Sequence, residues 1–261
     1  MITVARSEIG HLMACYLREA RHEFLRLLRT PSFVLPTLLF PALFYVLFGV
    51  VLAGSRGGVQ VSGYLLASYG VFGIMGASLF GFGVTIAIER ERGFLTLKRA
   101  QPMPPGAFLF AKLVMAMLFA AIISVLLALL ATTLAGVRLA PQQWILLFLI
   151  NVSGTLPFCA LGLWLGSLVS GSAAPAVVNL IYLPMSFLSG LWMPLSVLPD
   201  FIARFAPMWP SYHLGQIALG VVGHADSGNV LAHVGFLVAM SALCLFLARG
   251  RLDRESDGSG R

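Results

Sequence analysis

Six uninterrupted apolar stretches of bilayer-crossing length recur along the chain: Val34 to Ala53, Tyr64 to Ile88, Phe108 to Ala135, Trp144 to Val169, Ala173 to Trp192 and Val230 to Ala248. A helix needs about 20 apolar residues to cross the hydrocarbon core. A buried soluble core accounts for one such stretch, not for six. Only 10% of the residues are charged, against about 25% in soluble domains, too few to coat a water-facing surface. The expected fold is an all-α integral membrane protein with six transmembrane helices. Residues 1–33 are polar-rich and precede the first stretch, and no small-residue cleavage site follows it, so it does not read as a cleaved leader.

The positive charges orient these spans. Of the 17 lysines and arginines, only Arg56, Arg138 and Arg204 fall on one side of the bilayer. The other 14 precede the first span, follow the second or follow the sixth, which places both termini in the cytoplasm. Because the basic residues flank the apolar stretches and form no domain of their own, the formal charge of +7 reads as topology. Nucleic acid is not an expected partner. Cys15, Cys159 and Cys244 are scattered, without metal-like spacing or a disulfide framework.

Four segments outside the spans carry a reading. Within residues 1–33, Ile9, Leu12, Met13, Tyr16, Leu17, Ala20, Phe24 and Leu27 recur at helical spacing opposite Arg18, Arg21, Arg26 and Arg29. That pattern predicts a basic amphipathic connecting helix in the headgroup region, stopped by Pro31. Residues 89–106 form a cytoplasmic loop of mixed charge and a few large apolar side chains, the character of a docking surface. Residues 193–229 hold Pro194, Pro199, Pro207 and Pro210 among large apolar residues. They predict short re-entrant helices on the outer side, before the last span. Residues 249–261 read as a disordered cytoplasmic tail, and residues 34–248 as the six-span domain.

Energy sources are limited by what the chain lacks. No Asp or Glu occurs between Glu23 and Glu89, or between Glu91 and Asp200, so ion coupling through a buried carboxylate is disfavoured. The two lysines, Lys98 and Lys112, follow Leu97 and Ala111, so no phosphate-binding Gly-Lys-Ser/Thr loop exists. No catalytic residue and no metal ligand set is expected. A pump built on this chain draws its energy from a separate polypeptide.

The run Glu89-Arg90-Glu91-Arg92-Gly93, with Pro102 nine positions after the glycine, leads into a third span that carries Lys112. Together with Gly190-Leu191-Trp192-Met193-Pro194 before the last span and the basic N-terminal helix, this run resembles the permeases of ABC-2-type exporters. The likeness covers nearly the whole chain; one departure is Phe94, where the family often has Thr. The resemblance implies a non-catalytic permease subunit of the bacterial cytoplasmic (inner) membrane. It implies pairing as a homodimer, with two copies of a cytoplasmic ATPase that bind ATP and Mg. Glu89, Arg90, Glu91, Arg92, Gly93, Phe94, Leu95 and Pro102 would then couple to the ATPase, and the second and fifth spans would line the pathway.

A pathway lined by Phe72, Met75, Leu79, Asn179, Tyr182 and Met185 is apolar apart from one amide and one phenol. It suits a hydrophobic or amphipathic cargo, such as a drug-like compound or a lipid. Export of a polysaccharide or lipid-linked glycan is the alternative cargo class. A non-transporting accessory or sensory subunit is the alternative of another kind.

Overall fold

The structure is a computed structural model describing residues 2–53, 58–94, 106–224 and 229–258, with side chains from Leu12 to Arg251. The described residues are almost entirely helical. In chain order, α1 is Ile2–Leu28 and α2 is Pro31–Leu52. The long helices α3 (Gly58–Glu91), α4 (Ala107–Thr133) and α5 (Pro141–Leu168) follow. The remainder is α6 (Ala174–Leu188), α7 (Asp200–Phe205), α8 (Pro210–Val221) and α9 (Val230–Gly258). Helices α2, α3, α4, α5 and the Val230–Arg251 part of α9 are long and apolar enough to cross a membrane. The chain is a multi-pass membrane protein.

The stretch expected as the fifth span, Ala173 to Trp192, forms a shorter helix. At 15 residues α6 reaches only ~22 Å. Gly190 ends it early by taking φ of +79°, a left-handed conformation that a side chain would strain. Helix α9 continues through residues 249–258, assigned from sequence to a disordered tail. Arg249, Arg251, Leu252 and Glu255 are good helix formers and no proline interrupts them, so Gly250 alone does not end the helix.

Helix α3 is the hub. Every residue from Leu65 to Leu79 is buried, because α2, α4, α5, α6 and α8 all pack around it. In lipid the apolar effect does not drive helices together, so close van der Waals packing must. Glycine makes that possible at Gly83, where an added Cβ would stand 2.8 Å from the Cα and O of Gly162. A Cβ on Gly166 would stand 2.6 Å from the Gly83 carbonyl oxygen. The backbones of α3 and α5 therefore touch. Gly83 lies where α3 widens into π-helical turns, Leu79–Val84, a local loosening often met at functional sites.

Helix α1 lies along the N-terminal half of α4, with Tyr16 edge-on to Phe110 and Phe24 against Phe119. Its outward side carries Leu12, Met13 and Leu17 beside Arg18 and Arg21. Residues 193–221 fold into short helical pieces whose starts coincide with prolines. Pro199 precedes α7 and Pro210 opens α8. Proline lacks the N–H that a first turn leaves unbonded anyway, so it starts these helices as readily as it ends others. His213 of α8 stacks on Phe236 of α9 at 3.9 Å and shares a 2.7 Å contact between its Nδ1 and that of His233.

Candidate functional site

At the C-terminal end of the hub helix, four charged side chains meet. Lys112, in the second turn of α4, is 0% exposed. Its Nζ donates to Glu23 Oε1 at 2.6 Å, to Thr85 Oγ1 at 2.9 Å and to Glu89 Oε1 at 3.2 Å. Arg26 closes the ring, donating to Glu89 Oε1 at 2.6 Å and to Glu23 Oε1 at 2.7 Å. Two cations thus balance two carboxylates, and three helices are tied in one knot. Burying an ion pair is costly, and breaking one is costlier because it strands the partner's charge. This cluster specifies how α1, α3 and α4 meet.

The neighbours of Glu89 leave the helix in other directions, because successive residues turn by about 100°. Arg90 donates to the carbonyls of Ser167 at 2.5 Å and Val169 at 2.8 Å, the unpaired C-terminal end of α5. Glu91 Oε2 accepts the backbone N–H of Ser172, in the turn before α6, at 3.1 Å. Gly93 takes φ of +71° and ends α3, while Arg92 and Phe94 are exposed. Of the expected coupling residues, Glu89 is buried and Arg90 half-buried against the protein. Glu91, Arg92 and Phe94 face outward. Leu95 and Pro102 lie outside the described residues.

Above the cluster, a cavity of about 670 Å³ opens between α2, α3 and α6. Its aromatic end is built by Phe72 stacked on Tyr182 at 4.9 Å, with Trp192 edge-on to Phe72 at 5.9 Å and Phe44 against Trp192 at 5.3 Å. The Tyr182 hydroxyl donates to the Phe72 carbonyl at 3.1 Å. Polar groups are sparse: Thr30, Ser32, Thr37, Thr85 and Asn179. Thr85 is shared, since its Oγ1 lines the cavity region and also accepts from Lys112. The charge cluster and the cavity therefore meet at one residue.

Among the candidates for lining a pathway, Phe72, Asn179 and Tyr182 stand on the cavity wall. Met75, Leu79 and Met185 are buried in the packing and are not on that wall. The wall of α3 runs instead through Phe72, Gly76 and Phe80, one helical position round from Met75 and Leu79. Sequence reasoning also missed Glu23, Arg26, Lys112 and Thr85 as a unit. The available signal was a lysine inside the apolar run Phe108 to Leu118, since a charge at such a place needs a partner.

The described residues contain no cluster of three or more metal-ligating side chains. The cavity wall is mostly apolar and aromatic, with a few hydroxyls and one amide. The chain is 28% identical over 230 residues to the Bacillus subtilis (strain 168) protein named "Putative transport permease YvfS", covering 87% of this chain and 94% of that one. The profile of the ABC-2 type transporter family matches residues 17–222, from the connecting helix through α8, and the chain belongs to that family.

Proposed function

We propose that this protein is the permease subunit of an ATP-driven exporter, and that its cargo is hydrophobic or amphipathic. The observation that carries the reading is the cavity between α2, α3 and α6, aromatic at one end and touching a buried charge cluster at the other. A drug-like compound or a lipid fits such a wall, because few fixed polar groups demand partners. A glycan would leave most of its hydroxyls unpaired there.

On this reading the energy comes from a separate cytoplasmic ATPase that holds ATP and Mg and docks on residues 89–102. Glu91, Arg92 and Phe94 are the exposed part of that surface among the described residues. The chain crosses the inner membrane six times with both termini inside, α6 making the short crossing. Helix α1 lies in the headgroup region, its Leu12, Met13 and Leu17 toward the lipid. Two permease copies pair, each with one ATPase.

The test is reconstitution with the ATPase that co-purifies. Inside-out vesicles should accumulate ethidium or an NBD-labelled phospholipid only when ATP is supplied. ATP-dependent movement of an undecaprenyl-linked glycan, with neither of those probes moved, would favour the glycan alternative. An ATPase that binds without any cargo moving would favour an accessory role.

A further inference from the structure

We propose that Arg90, Glu91 and Gly171 join the cytoplasmic end of α3 to the turn between α5 and α6, so that displacement of residues 89–102 reaches the α6 wall of the cavity directly. This inference rests on the exporter reading above and names the route by which the docking segment moves the pathway.

Three independent contacts make the joint. Arg90 holds the last carbonyls of α5, Ser167 and Val169. Such a charge-assisted clamp occupies acceptors that a helix end otherwise leaves to solvent. Glu91 holds the Ser172 N–H, two residues before α6 begins. Between them Gly171 presses its backbone on α3, where an added Cβ would stand 2.6 Å from the Cα of Ile88 and 2.5 Å from Glu91 Oε2. Higher up, Gly83 meets Gly162 and Gly166 in the same way. From Gly83 to Glu91, α3 is thus in backbone contact with the chain from Gly162 to Ser172.

Glu89 meanwhile faces α1 and α4. Three consecutive side chains therefore divide one displacement between two destinations. Glu89 carries it to the charge cluster, and Arg90 with Glu91 carry it to α6. Helix α6 brings Asn179 and Tyr182 to the cavity wall only two and three turns from that joint. A close-packed contact chain of this kind transmits small shifts, because packed elements slide or hinge as units. Arg90, Glu91 and Gly171 act here as positioning residues.

The test reads α6 itself. In the full chain with Cys15→Ser, Cys159→Ala and Cys244→Ala, Leu183→Cys on the cavity wall is labelled with N-ethylmaleimide in vesicles that also contain the co-purifying ATPase. The labelling rate is compared with and without ATP plus vanadate. The ratio is the readout, because a general loosening of α6 raises both rates together. The parent should show a nucleotide-dependent ratio. Gly171→Val, which wedges the turn off Ile88, and Ser172→Pro, which removes the N–H that Glu91 accepts, should each shrink that response by about threefold or more. In both variants the ATPase should still co-purify. Ser172 is exposed and precedes a helix start, where proline is tolerated, so its variant decides if Gly171→Val fails to fold. Undiminished ratios in the folded variants would overturn the joint and leave the exporter reading intact. A parent without any nucleotide response would overturn both.

Discussion

Lys112 Nζ meets Glu23 Oε1 at 2.6 Å across 89 residues of chain, and no water-exposed surface remains on the lysine. That contact, with Arg26 and Glu89 around it, fastens α1 to α4. The predictions below start from it.

Replacing Lys112 with Met keeps the volume but leaves Glu23 and Glu89 facing each other with Arg26 alone. The expected cost is about 3–5 kcal/mol, the usual penalty for stranding one partner of a buried pair. A large drop in the Tm of the detergent-solubilised protein would report it. Adding Glu23→Gln removes the stranded charge, so the double variant should recover part of the loss. An unchanged Tm for Lys112→Met would contradict the structural role of the cluster.

The two acids of the Glu89-Arg90-Glu91 run should respond differently to the same change. Glu89→Lys sets a third cation beside Lys112 and Arg26 in a buried site, so folded, membrane-inserted protein should fall sharply. Glu91→Lys lies at the surface and loses one hydrogen bond, at about 1 kcal/mol. Its insertion should be close to normal while its stimulation of the partner ATPase drops. Insertion yield and ATPase rate, measured on both variants, distinguish the roles. Equal insertion of the two would argue against the buried placement of Glu89.

Glycine substitutions should divide by what each Cβ would meet. Gly83→Ala forces α3 and α5 apart at their backbone contact and should cost about 1–3 kcal/mol, as overpacking does. Gly235→Ala, in α9 with open space around it, should be neutral or gain up to about 1 kcal/mol from helix propensity. Thermal unfolding of the pair in one detergent checks both signs at once.

The contact between α8 and α9 should weaken in acid. Burial lowers the pKa of His213 below its usual value, the Pro207 carbonyl opposes that shift, and the neighbouring His233 adds to it. Tyr212 lies against both rings. A histidine whose folded pKa is depressed takes up protons on unfolding, so its contribution holds above pH ~6.5 and is lost as the pH falls through that value. The protection factors for hydrogen exchange in α8, corrected for the pH dependence of intrinsic exchange, should therefore fall from about pH 8 to about pH 5. His213→Phe should flatten that dependence; a flat profile in the unaltered protein would remove histidine from the account.

Much of this architecture was legible in the residues. The apolar stretches at Val34, Tyr64, Phe108, Trp144 and Val230 each became a helix long enough to cross, because twenty apolar residues in lipid have no other way to satisfy their backbone. The prolines of residues 193–229 forecast short helices, which formed. Other features were not legible. The Glu23–Arg26 pair, Glu89 and Lys112 are far apart in the chain, and no local pattern records that they meet. The choice of Phe72, Gly76 and Phe80 over Met75 and Leu79 for the cavity wall depends on the rotation of α3, which its neighbours set.

The chain's own composition and order determined a helical membrane protein, its long spans and its charge asymmetry, since these follow from local solvation and hydrogen bonding. Only the tertiary structure decided that the Glu89-Arg90-Glu91 run turns partly inward, with one acid buried on Lys112 and the other, exposed, accepting from the turn before α6. The reason is geometric. A helix fans three consecutive side chains over about 200°, and which of them meets a partner depends on the helices packed around it.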